Sequence, residues 1–349
     1  MKQLNLQLKN LFIIIVLIVN LGGVSQATEE LVFLNWDTYI APELVKAFEA
    51  KFNVKLKQIY FETDETRTEL LLATNNKGYD VAAVTDSNIA PYAKRGWLAP
   101  IDKVPNLQHI DSKWLNSLGK NRSYVVPYLW GTLGIVYRKD LIKTEITNWQ
   151  QLFRPTAAWK GKIVMLNDSN ELIGLALKSL GYSPNSSKKK ELNAAKKLLL
   201  AQKPNVKAYE YPVMSKDSKL VSGDTWIAMM YNGDALTLKE EHPQIVFTVP
   251  KEGSILWCDY LVVLSGSKKK KLAMQFINFL TEPQNAAHLS EYLQFASPNK
   301  AAEKLLPREH LTNPLIYLTP AVLANSELLT PKKARVRKKL NAIYSKLVK

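Results

Sequence analysis

Short apolar runs alternate with amphipathic helical stripes along most of this chain, and that alternation restricts its fold more than any other feature. Residues 30–36, 54–61 and 79–84 read as strands. Between them, residues 41–52 carry a helical stripe of Leu44, Val45 and Phe48, with Pro42 suited to a first turn. Residues 64–74 form a second expected helix, opened at Thr63 and Asp64, and residues 88–95 a short third, stopped by Gly96. Strands separated by helices imply parallel strands covered by those helices. A second region of the same kind starts near Gly134, with strands at 162–166 and 227–231 and helices at 170–180 and 189–202. Residues 246–250 then lead back to a further strand, followed by helices at 270–280, 282–293 and 301–305 and a lysine-rich terminal helix. No internal repeat or long low-complexity linker separates the two regions. Short crossings rather than one tether suit hinge closure on a ligand.

The returning strand, residues 255–263, carries a carboxylate among bulky apolar neighbours. Strand alternation puts Trp257 and Asp259 on one face and Cys258 and Tyr260 on the other. An aromatic plane beside an anion suits an organic cation. Trp36, Asp37, Thr38 and Tyr39 repeat that chemistry near the start of the chain with a different spacing. A buried aspartate in such a strand is either held by hydrogen bonds for structural reasons or functional. Two such pieces, far apart in sequence, point to a site closed from both halves.

Lys2 and Lys9 precede an apolar run from Leu11 to Val19, and Ser25 and Ala27 are small residues with cleavage-site spacing. This reads as a signal peptide over residues 1–27, too short for a comfortable membrane span. The mature chain would begin at Thr28, outside the cytoplasm, and its roughly 320 residues suffice for two domains. The one cysteine, Cys258, cannot form an intrachain disulfide and reads as a buried small hydrophobe.

The formal charge of +16 falls to +14 without Lys2 and Lys9, because the leader carries no acids. The excess lies at 188–190, 268–271 and 332–339, without interleaved aromatics or a nucleic-acid motif. Solvated helix faces are the plainer explanation, with docking on an acidic surface as the alternative. His109, His242, His288 and His310 lack ligand spacing, so no metal site is expected. Neither a Gly-x-Ser-x-Gly elbow nor a phosphate-binding glycine loop is present.

Several fragments occur in order: Asn35-Trp36-x-x-Tyr39, Tyr79-Asp80, Pro127-Tyr128-x-Trp130-Gly131, Trp159-Lys160-Gly161-Lys162, Asn232-Gly233, Pro250-Lys251-Glu252-Gly253, Trp257-x-Asp259 and Ser297-Pro298-Asn299. In this set the chain resembles the spermidine/putrescine-binding proteins of bacterial ABC importers, over nearly all of its mature length. The resemblance implies an α/β, two-lobed periplasmic-binding-protein fold of type II, each lobe a mixed sheet flanked by helices, with a polyamine in the interlobe cleft. The lobes would comprise residues 28–134 plus 258–303 and 135–257 plus 304–349. It implies a periplasmic receptor without enzymatic activity or cofactor, monomeric, serving a membrane permease and binding no nucleic acid.

By the same resemblance Trp36 and Tyr39 form one aromatic wall, and Asp168 and Glu171 match the second lobe's acidic pair. Tyr231 stands where a tryptophan is common, Asp234 matches an acid of putrescine-preferring members, and Trp257 and Asp259 match the aromatic–acid pair. Thr85 and Ser87 complete the set on the first lobe. Ser87 replaces an aromatic, Phe295 a tyrosine, Asp37-Thr38 reverses the usual order of hydroxyl and acid, and Leu329 lies near a common glutamine. Asp168 and Glu171 read otherwise as a helix N-cap and its first-turn acid, and Asp234 as a turn residue.

The chemistry fits independently. One carboxylate at contact distance from an ammonium contributes about 4 kcal/mol of attraction at an effective dielectric of 20, before desolvation. Each buried methylene adds about 0.8 kcal/mol, and a cation over an aromatic face roughly 0.5–2 kcal/mol. Four or five candidate acids exceed a diamine's charge and favour a triamine, whereas Asp234 favours putrescine. A thiamine-like cation, a basic surface interaction protein and a two-carboxylate glycosidase are the competing readings.

Overall fold

The structure, a computed structural model, describes residues 28–116, 118–215 and 217–349; the expected leader lies outside the described residues. Among the described residues there are eleven strands, two of them long. They are β1 (Glu29–Asn35), β2 (Val54–Tyr60), β3 (Val81–Thr85), β4 (Leu98–Ala99), β5 (Val126–Arg138), β6 (Ile163–Met165), β7 (Val206–Tyr209), β8 (Ile227–Tyr231), β9 (Ile245–Thr248), β10 (Ile255–Leu264) and β11 (Glu327–Leu328). On the first lobe the order is β2-β1-β3-β10-β5, with β1 parallel to β2 and β3, and β10 antiparallel to its neighbours β3 and β5. On the second it is β7-β6-β8-β5-β9, again three parallel strands and then an antiparallel one. Each lobe therefore repeats one topology, and β5 belongs to both. Its first half pairs with β10 and its second half with β8 and β9.

Both sheets are covered on both faces, as parallel strands require. In the first lobe one core packs Phe33, Phe48 and Phe276 against β1 and β10, and a second, on the opposite face, gathers Cys258, Tyr260 and Val262. The alternation expected along β10 is thus present, and Cys258 is buried as expected. The second lobe has a core around Trp149 and Leu172 and another around Phe247 and Met230. Local signals fix the helices. Thr63 and Thr66 form a reciprocal capping box on Asp64–Ala73, and Pro42 opens Pro42–Phe52, which ends at a left-handed Asn53.

The strand β5 is the main departure from the sequence reading, which placed a region boundary at Gly134 instead. Pro127, Gly131 and Gly134 interrupt its apolar pattern and argue locally against a central strand. Two of these glycines are required by packing. A Cβ on Gly131 would lie 2.5 Å from the Trp257 ring, and one on Gly134 would run into the ring of Phe247. The segment before β11 reaches both lobes, and Leu315 packs on the Phe247 and Met230 core. Tyr317 lies edge-on to Trp130 at 5.8 Å and accepts the Ser297 N–H, while His310 meets the Ser290 hydroxyl at 3.2 Å.

Candidate ligand-binding site

The chemistry-bearing residues gather where the parallel strands end. In open α/β sheets the carboxyl ends of the strands border the ligand crevice. Trp36 follows β1, Asp64 comes shortly after β2, Asp86 follows Thr85 at the end of β3, Asp168 stands just beyond β6, and Asp234 follows β8. Trp257 and Asp259 project from β10 between the lobes.

Three of the carboxylates are each held by a tyrosine hydroxyl. Tyr39 donates to Asp259 Oδ2 at 2.7 Å, Tyr231 to both oxygens of Glu171 at 3.0 and 3.1 Å, and Tyr211 to Asp234. Asp168 is the N-cap of the Ser169–Ser179 helix, its Oδ1 accepting the N–H groups of Asn170 and Glu171 at 2.7 and 2.8 Å. The capping reading of Asp168 is therefore present in the structure. It uses one oxygen, and among the described residues the other accepts no protein hydrogen bond. Asp64 accepts from Thr85 Oγ1 at 2.7 Å and from Asn88.

Burial pushes these acids up. Asp259 rises to about 8, mainly by desolvation and further through Asp64 and Asp86, against the Tyr39 hydrogen bond and the Arg67 charge. Desolvation also takes Asp86 to about 7, with Asp64 adding to it and the Ser87 N–H opposing it. Asp168 and Asp234 each reach about 6, again chiefly through burial. Glu171 is held well above the carboxylate range by burial and then by Asp168, with Asp64 and Asp86 contributing. Acids from both lobes thus repel one another across the cleft.

One cation lies among them. The Arg67 guanidinium, wholly buried, stands 2.7 Å from Asp64, close but out of line for a good hydrogen bond. It packs over the rings of Phe61, Trp36 and Tyr92 at 4.9, 5.5 and 5.7 Å. Among the described residues no lysine or arginine forms a salt bridge with Asp86, Asp168, Glu171, Asp234 or Asp259. Neutral tyrosines and backbone amides are their partners instead.

Aromatic rings join the acids. Trp257 meets Phe295 edge-on at 4.8 Å and Tyr231 at 5.9 Å. Tyr39 packs against Trp36 at 5.4 Å, Tyr128 at 5.6 Å and Phe295 at 6.1 Å. The Trp257 indole N–H is buried without a protein partner. These spacings suit edge-to-face contact and leave a wall fit for a methylene chain.

Of the residues singled out from sequence, Trp36, Tyr39, Thr85, Asp168, Glu171, Tyr231, Asp234, Trp257, Asp259 and Phe295 are brought together. Asp37 and Thr38 are exposed, and the Asp37 carboxylate accepts the N–H of Thr38, a residue at φ 55°. Ser87 is exposed and meets the hydroxyl of Thr85 at 3.0 Å. Leu329 packs on the second lobe's core. Sequence reading passed over Asp64, Arg67, Asp86 and Tyr211. Asp64 was visible only as a helix start, and Tyr211 follows β7 in a loop with no motif.

Comparison with known proteins agrees with this arrangement. The family model for bacterial extracellular solute-binding proteins matches residues 43–312. The chain is 30% identical over 301 residues to the spermidine/putrescine-binding periplasmic protein of Escherichia coli K12, covering 85% of each. It is 32% identical to a norspermidine sensor of Vibrio cholerae, over 86% of this chain and 83% of that protein. Among solved structures, a putative spermidine/putrescine ABC transporter from Listeria monocytogenes superposes with a TM-score of 0.80 at 31% identity, covering 92% of this chain and 99% of that one. The substrate-binding protein PotD of Streptococcus pneumoniae also gives a TM-score of 0.80, at 27% identity, over 92% and 98% of the two chains. The chain belongs to the bacterial extracellular solute-binding protein family, whose members are transport receptors rather than enzymes, and it carries that family's α/β periplasmic-binding-protein fold.

Proposed function

We propose that this protein is the extracytoplasmic receptor of an ABC importer and captures a linear polyamine between its lobes, a triamine of the spermidine class in preference to putrescine. The observation that carries this reading is the group of acids from both lobes, Asp259 buried and Asp64, Asp86, Asp168, Glu171 and Asp234 half-buried, with Arg67 as the one cation ion-paired with them among the described residues. A ligand with several ammonium groups supplies the missing positive charge, and the rings of Trp257, Tyr231 and Phe295 cover the carbons between them. Asp234, Asp259 and the Asp168–Glu171 pair provide three stations for charge, one more than a diamine fills. Relatives named for spermidine, putrescine and norspermidine support the ligand class.

The receptor reaches the periplasm through its leader, residues 1–27, and hands its ligand to a permease in the inner membrane. Its ligand contacts are Trp36, Tyr39, Thr85, Asp168, Glu171, Tyr231, Asp234, Trp257, Asp259 and Phe295, with Asp64, Asp86 and Tyr211 added. The segment after residue 303 bridges the lobes, with Leu315 on the second lobe's core and Tyr317 on Trp130. Titration calorimetry with spermidine, norspermidine, putrescine and thiamine tests the reading. Saturable binding with spermidine or norspermidine tighter than putrescine is expected. Binding of thiamine alone, or of none of the four, overturns it.

A further inference from the structure

The second lobe carries a basic face that the cleft does not use. The Lys189–Gln202 helix and the Ala334–Val348 helix pack side by side through Leu192, Leu199, Leu340, Ile343 and Leu347. Their far ends are tied together where Lys203 Nζ donates to the Lys346 carbonyl at 2.9 Å. Six lysines and one acid lie between Lys188 and Lys203, and eight basic residues and no acidic side chain between Lys332 and Lys349.

Helical spacing puts Lys189 and Lys197 on the exposed side of the first helix with the half-buried Lys196 at its flank, and Arg335, Lys338 and Lys346 on one side of the second. Among the described residues none of these six has a carboxylate within ion-pair distance. Lysines elsewhere do, as at Lys51–Glu282 and Lys219–Glu210. Leu200 follows Lys196 and Lys197 by four and three positions and so shares their face, and it is 37% exposed. Unpaired lysines and arginines around the exposed Leu200 match an anionic bilayer. The charges meet lipid headgroups, the aliphatic side chain enters the boundary, and the long stems allow the charged ends to stay in water.

We infer that this face docks the receptor on an anionic phospholipid surface, so that it searches for its permease along the membrane instead of through the full volume around it. A folded acidic protein face would call for paired shape and charge, whereas a broad basic face without a pocket needs only a charged plane. This docking does not depend on which small molecule the cleft holds.

The test is sedimentation of the exported protein with phosphatidylcholine vesicles, with and without phosphatidylglycerol, at low and high salt. Binding is expected only with phosphatidylglycerol and to weaken as salt rises. Each basic residue near such a surface contributes about fivefold in affinity. Replacing Lys196, Lys197, Arg335 and Lys338 together by glutamine should therefore lower vesicle affinity by roughly six hundredfold. The same replacement of Lys268, Lys269, Lys270 and Lys271, a run of equal charge on another face, should lower it by less than tenfold. Unchanged melting temperature and unchanged cleft binding serve as the check that both variants fold. Equal losses in the two variants would mean undirected charge attraction and overturn the assignment. So would an absence of vesicle binding at low salt, or face-dependent binding to polyglutamate without binding to vesicles, which would assign the face to an acidic protein.

Discussion

Tyr39 and Asp259 are 220 positions apart in the chain, and the Tyr39 hydroxyl donates to Asp259 Oδ2 at 2.7 Å. Tyr39 comes from the loop after β1 and Asp259 from the strand that crosses between lobes, so this bond links the entrance loop to the centre of the molecule. Burial and the Asp259 charge also hold the Tyr39 hydroxyl protonated, well above its ordinary range. It is therefore a fixed donor and leaves the remaining lone pairs of Asp259 for a cation.

Asp259→Asn keeps the shape and the Tyr39 bond while removing the charge. A charge-assisted hydrogen bond in a buried site is worth about 1.5–3 kcal/mol. Polyamine affinity measured by calorimetry should fall by roughly a hundredfold, with the ligand-free melting temperature at pH 8 equal or higher. Unchanged affinity would remove Asp259 from the site. Tyr39→Phe should cost less, about three- to tenfold, since only a neutral positioning contact is lost.

The raised acids give a definite pH response. A carboxyl whose folded value exceeds its unfolded one binds more protons when folded, so its stabilising effect is complete below about pH 4 and is lost as pH rises through the folded value. The loss begins above about pH 4 and is complete once pH passes about 6 for Asp168 and Asp234, about 7 for Asp86 and about 8 for Asp259. The ligand-free protein should melt several degrees lower at pH 8 than at pH 5.5, and Asp259→Asn should flatten the upper part of that fall. A polyamine pairs with the ionised acids, so its affinity should rise over the same interval with release of protons. Calorimetry in buffers of different ionisation enthalpy reads the proton count directly. Proton uptake on binding would contradict the assigned titration.

Gly131→Ala tests whether the strand β5 sets the position of Trp257. The new methyl would start 2.5 Å from the indole and closer still to Asn232 Oδ1. Asn232 Oδ1 also accepts the Thr132 N–H at 3.0 Å, so it has little freedom to move. Overpacking of this kind costs roughly 1–3 kcal/mol. Lowered denaturant midpoint together with weakened polyamine binding is expected. Full affinity in a folded Gly131→Ala protein would mean that the ring is placed by other contacts.

The parts of the fold legible from sequence were those whose local pattern and tertiary role coincide. The strands β1, β2, β3 and β8 read as apolar runs, and Asp259 stood out because a carboxylate in such a run demands a partner. Strand β5 was hidden because its glycines serve distant rings, Trp257 and Phe247, which no local pattern reveals. Asp64 gave the signal of a helix start, and nothing nearby shows that it faces acids of the other lobe. Tyr211 donates to Asp234 only because β7 lies at the edge of the second sheet and delivers its loop there. Arg67 is the most concealed. An arginine on a short helix reads as solvated, yet here it is enclosed by three aromatic rings.

Arg67 and Asp64 form a pair in which one member is buried and the other partly exposed, with side-chain exposures of 0% and 29%. Burial alone would lower the guanidinium's affinity for its proton, and Asp64 together with Tyr92 more than offsets this. Removing the cation leaves Asp64 beside acids already raised chiefly by burial and, for Asp259, Asp86, Asp168 and Glu171, further by their neighbours' charge. Breaking a buried pair costs about 3–5 kcal/mol, and the partial exposure of Asp64 places Arg67→Met at roughly the lower end. The double variant Arg67→Met with Asp64→Asn removes both charges and should recover most of the loss, measured as urea midpoints at constant slope. If the single and double variants are equally unstable, Arg67 acts through its packing on Trp36, Phe61 and Tyr92 and not through its charge. If only the single variant is unstable, the guanidinium is the resident counter-ion that lets so many carboxylates share one cleft.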